Sequence, residues 1–155
     1  GADCPAWAWV VGGGIALALA DLVFAAGFWF LHSGTAPIRI PQSIAAWFVG
    51  THAARAGGIE TALLGLVSYC ALTAALVAVY VRIAARWPRV HVHVAPVGIA
   101  YGVACYALVL RILVPAFSAA SVKAHDKPVE WTLACVAAWG GIGFGCAWIA
   151  RAMSR

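Results

Sequence analysis

Four long apolar runs dominate the chain. The first covers residues 6–31 and is interrupted only by Asp21, the second covers 61–81 without a charged side chain, the third covers 94–114 and contains Arg111, and the fourth covers 131–150, again uncharged. Each is close to the roughly 20 residues that a helix needs to cross hydrocarbon. None shows the strict alternation of a barrel strand. Every backbone polar group in lipid must find its partner within its own segment or in a closed barrel. The runs therefore predict four transmembrane helices in an all-α membrane protein forming a single domain over residues 1–155.

Polar positions mark where the runs stop. Arg82, Arg86, Trp87, Pro88 and Arg89 close the second run, and Arg151 and Arg155 close the fourth. Pro115 falls where the third helix should stop or kink. The connection between the first two runs has a pattern of its own: Pro41 suits a first helical turn, and Ile44, Trp47 and Phe48 then share one face. A short helix over residues 41–49, interfacial or re-entrant, is predicted there. The opening segment lacks the basic region of a signal peptide and is read as the start of the first span.

Composition reinforces the membrane assignment. Of the 155 residues 65% are hydrophobic and only 10% charged, against about 25% charged in an ordinary soluble domain. The net charge of +5 therefore reports loop arginines rather than a nucleic-acid surface, and no nucleic-acid partner is expected. Four spans put both termini on the side of the loop holding Arg82, Arg86 and Arg89. Arg151 and Arg155 join them, whereas Arg39, Arg55, Lys123 and Lys127 fall on the other side. By the positive-inside rule the dense side is cytoplasmic. Trp7, Trp9, Trp87 and Trp148 then mark the inner interface, and Trp29 and Trp131 the outer one.

Candidate chemistry begins with the intramembrane charges. An ionisable side chain at mid-bilayer costs about 2.5–3.5 kcal/mol even on the gentlest insertion scale, so Asp21 and Arg111 need a reason to be there. Each lies a similar number of residues from the inner end of its span, and the expectation is that they meet inside the bundle, with Glu60 and Gln42 facing the same place. Such a group is either a pocket for an ion, proton or small ligand, or a structural pair that orients helices. His91 and His93, if extended, would point the same way and are candidate metal ligands; as solvated side chains near the headgroups they would do nothing of the kind. The five cysteines include no CxxC pair, and those within the runs read as small apolar side chains. No nucleophile elbow, Walker loop or HExxH motif is present, and no cofactor is indicated.

Two small-residue pairs, Gly141 with Gly145 and Gly98 with Gly102, allow close helix approach, either within the chain or across a homodimer. Asp21, the stretch Arg39–Ile40–Pro41–Gln42–Ser43–Ile44–Ala45, Ala78–Val79–Tyr80, Tyr101–Gly102 and Val114–Pro115 together resemble a group of small four-span bacterial inner-membrane proteins of uncharacterised function. Arg111 departs from that pattern, where an uncharged residue is expected. The resemblance implies a bacterial inner-membrane location and supplies no reaction. The expectation is a non-enzymatic integral membrane protein that handles a small ligand or ion, or serves in a membrane assembly. The competing class is a membrane enzyme or redox protein acting on a lipid or quinone.

Overall fold

The computed structural model describes residues 5–120 and 128–154. Lys123, Lys127 and Arg155, used above in placing charge, lie outside these. All regular structure among the described residues is helical, and four helical segments are long and apolar enough to cross a membrane. The protein is a multi-pass integral membrane protein.

The first span is α1, Ala6–Ser33. It ends where Gly34 takes a left-handed φ of 67°, a conformation glycine adopts without a side-chain penalty, and the Gly34 and Thr35 amides turn back to the carbonyls of Phe30 and Trp29. Two short helices follow, α2 over Arg39–Val49 and α3 over Thr51–Ala56. The second span is α4, Gly58–Arg86, closed by a 3-10 turn over Pro88–His91. The third span runs from Val94 to Phe117 as α5, Val94–Leu108, a π-helical turn, Val109–Leu113, and α6, Val114–Phe117. The fourth span is α7, Val129–Met153, started by Pro128 in an extended conformation.

Each span is longer than its apolar run. Helical hydrogen bonding continues through the polar flanks, while hydropathy marks only the part that sits in hydrocarbon. The third span also passes through Pro115 instead of ending there. Proline has no N–H for the Arg111 carbonyl and its ring would strike that carbonyl in a regular helix; the wider π turn immediately before it removes the conflict.

The fourth span is the centre of the bundle. Half of its most apolar stretch is buried, against 22–28% in the other three. Span three packs along it, span one packs on spans two and four, and spans one and three share no packed face. Many large apolar side chains point outward, among them Val23, Leu31, Ile59, Val67 and Phe117, a surface suited to lipid and not to water.

Backbone contact explains the order of the helices. A Cβ on Gly102 would fall on the Trp139 carbonyl, and one on Gly143 would fall on the Gly98 carbonyl. Gly98, Gly102 and Gly143 thus form the crossing of spans three and four within one chain. Gly145 packs beneath Leu17, whereas Gly141 has open space beside it. Gly14 similarly rests against the backbone of Ala74, which fixes the crossing of spans one and two.

The α2 helix lies on the far end of span two, away from the arginine-rich turn. A Cβ on Gly65 would fall on the Pro41 carbonyl, so only glycine lets α2 come so close. Ile44, Ala45 and Ala46 are buried beneath it, Trp47 is half-buried and Phe48 is exposed. The predicted short helix is present and begins two residues earlier than the pattern indicated.

Candidate functional site

The buried stripe of α1 is Gly14, Ala18, Leu22 and Ala25, a three-to-four residue spacing that faces one neighbour throughout. Asp21 sits at the edge of this stripe and is half-buried. On span two the buried stripe is Ala62, Gly65, Tyr69, Thr73, Val77, Tyr80 and Ala84. The Thr73 hydroxyl, 1% exposed, lies 2.8 Å from the Gly14 carbonyl, and also within bonding distance of the Tyr69 and Cys70 carbonyls of its own helix. This contact and the Gly14–Ala74 crossing set how the two helices are rotated against each other. Two turns further along α1, that rotation delivers Asp21 to the phenol of Tyr69.

Tyr69 Oη donates to Asp21 Oδ2 at 2.5 Å. The tyrosine is 4% exposed, so its hydroxyl is held by surrounding helix. At 1.5 Å per residue, Asp21 is about 22 Å from the start of α1 and about 18 Å from its end, well inside a hydrocarbon layer about 30 Å thick. A carboxylate has about four lone-pair positions; one is used by Tyr69, and no cation among the described residues pairs with it.

The expected partner is elsewhere. Arg111 is exposed, on the π turn of span three, and span three is separated from span one by the central helix. The Asp21–Arg111 pair does not form. Arg111 is six residues from the end of α6, or about 9 Å, a distance that a long exposed side chain can span by snorkelling.

Gln42 and Glu60 do not join Asp21 either. Gln42 is 3% exposed; its amide donates to the Gly58 carbonyl at 2.8 Å and accepts from Arg39 Nη1 at 3.1 Å. It ties α2 to the first residue of span two. Thr61 adds a bond of 2.6 Å to the Ala54 carbonyl, binding α3 to the same place. Glu60 is exposed in the first turn of α4. The four candidate residues therefore separate into one intramembrane acid, one structural clamp and two surface charges.

His91 and His93 are also corrected. The chain forms a 3-10 turn through His91, so the two imidazoles are not on one extended strand face. Among the described residues no group of three or more His, Cys, Asp or Glu side chains is placed to hold a metal ion.

Tyrosines supply what the sequence pattern passed over. Besides Tyr69, the rings of Tyr80 and Tyr101 meet edge to face at 5.0 Å, and the Tyr101 hydroxyl donates to the Leu76 carbonyl at 2.8 Å. Tyr80 Oη is buried and has no hydrogen-bond partner among the described residues. These two residues, taken from separate motifs, join spans two and three side chain to side chain. At the far end of the bundle Trp29 and Trp131 meet at 5.1 Å, joining spans one and four.

No protein-family model, curated protein or solved structure matches the chain.

Proposed function

We propose that this chain is a small non-enzymatic protein of the bacterial inner membrane, with both termini cytoplasmic, that handles a proton or small cation at Asp21. The observation that supports this reading is the Tyr69–Asp21 hydrogen bond deep in the membrane with no cation among the described residues completing it. Keeping a carboxyl group there costs several kcal/mol, and a neutral residue would pack the same helices without that cost. A phenol O–H donates to a carboxyl group in either protonation state, so Tyr69 holds Asp21 in place without fixing its charge. The free lone pairs are then the acceptor for a proton or a cation. The orientation rests on arginine density. Arg82, Arg86, Arg89 and Arg151 lie at one end, while Glu60 and Glu130 accompany Arg39 and Arg55 at the other.

The test is ion flux into vesicles reconstituted with the purified protein, under an imposed membrane potential, with internal dyes for protons, sodium and potassium. Wild type should carry one of these ions faster than protein-free vesicles. Asp21→Asn should lower that rate at least tenfold while melting within a few degrees of wild type. Flux equal to empty vesicles for all three ions, or an unchanged rate in Asp21→Asn, contradicts the proposal.

A further inference from the structure

We infer that the groove between the start of span three and the end of span four binds the headgroup of an anionic phospholipid. The groove has a volume of about 620 Å3 and is lined by Val92, His93, Phe144, Trp148 and Arg151 together with the first turn of α5. Arg151 and His93 are both exposed, so their donors are available at the groove instead of being consumed by protein partners. A phosphodiester is an anion that a guanidinium recognises by parallel hydrogen bonds, and in a membrane protein the phosphodiester at hand belongs to lipid.

Two further observations favour lipid over a free anion. First, Trp148 also lines a second groove of about 450 Å3, between α1 and α7, whose walls include Gly12, Leu17 and Gly145. That groove is apolar and follows α1 from Ala8, near the arginine-rich end, to Leu17, nine residues or about 14 Å of helix. A polar recess and an apolar channel meeting at one exposed tryptophan match the two halves of a phospholipid. Second, the whole end is electropositive. Arg82, Arg86 and Arg89 are exposed there, and no carboxylate accompanies them among the described residues. Basic recesses between membrane helices on the cytoplasmic side are where anionic headgroups collect.

The experiment is native mass spectrometry of the purified full chain in detergent, titrated with phosphatidylglycerol or with phosphatidylcholine of the same acyl chains. Wild type should retain phosphatidylglycerol at least fivefold more than phosphatidylcholine. Arg151→Gln combined with His93→Ala should bring retention down to the phosphatidylcholine level, while Arg86→Gln, at the same end and outside the groove, should leave it unchanged. Because the three substituted side chains are exposed, melting temperatures should stay within a few degrees of wild type. Equal retention of the two lipids overturns the inference. So does an equal loss in Arg86→Gln, which would reduce the effect to general surface charge, and so does displacement of phosphatidylglycerol by millimolar inorganic phosphate, which would make the site one for a free anion.

Discussion

Tyr69→Phe removes one hydroxyl and leaves the ring that packs span two, so it isolates the bond to Asp21. Hydrogen bonds between membrane helices are worth about 0.6 kcal/mol on average and about 1.7 at most. Because this one is short and serves a carboxyl group, Tyr69→Phe should destabilise by about 1 to 1.7 kcal/mol. Asp21→Asn, which keeps an acceptor for the phenol, should cost less. Unfolding in mixed micelles by denaturing detergent measures both; a larger loss in Asp21→Asn would show that the phenol is not the principal partner. Asp21 was conspicuous in the sequence because a lone acid in an apolar run is costly in lipid. Tyr69 was not, since a tyrosine counts as apolar in such a run. Its signal lay in helical spacing: Gly65, Tyr69, Thr73 and Val77 recur every four residues and form the buried face of span two. Pairing Asp21 with Arg111 followed from charge and shared depth, neither of which carries information about which helices are neighbours.

Glycines on the spans separate into those used for helix crossing and those that face outward. Gly102→Ala should force spans three and four apart, since its Cβ would fall on the Trp139 carbonyl; overpacking of this kind costs about 1–3 kcal/mol. Gly141→Ala meets nothing within 4 Å and should gain stability by about 0.5–1 kcal/mol, the usual difference between alanine and glycine inside a helix. The same detergent unfolding reads both, and a loss in Gly141→Ala would mean that this face is occupied in the folded protein. Small-residue spacing announced that close crossings exist, yet it does not say which surface each one meets. The α2 helix was legible in advance because Ile44 and Trp47 fall on one face after a proline suited to a first helical turn. Its docking site was not, because Gly65 is one small residue in a uniformly apolar span. Pro115 shows a similar limit: its missing N–H was evident, while the π turn that accommodates it depends on the backbone path around Arg111.

The number, type and approximate position of the four spans follow from hydrocarbon thickness and backbone hydrogen bonding, and these were readable from the chain. The order of the helices was not. Spans that are apolar on every side carry no amphipathic stripe to tell core from lipid, so the central place of span four emerges only from the fit of Gly98, Gly102 and Gly143. That order determines the chemistry: with span four in the centre, Asp21 is given to Tyr69 of span two and kept from Arg111 of span three. Paired cysteines in a background with all five native cysteines replaced by alanine test this most directly. Asp21→Cys with Tyr69→Cys should cross-link efficiently with a short bifunctional maleimide in membranes, and Asp21→Cys with Arg111→Cys should not. Efficient linkage of positions 21 and 111, with none between 21 and 69, would contradict the account.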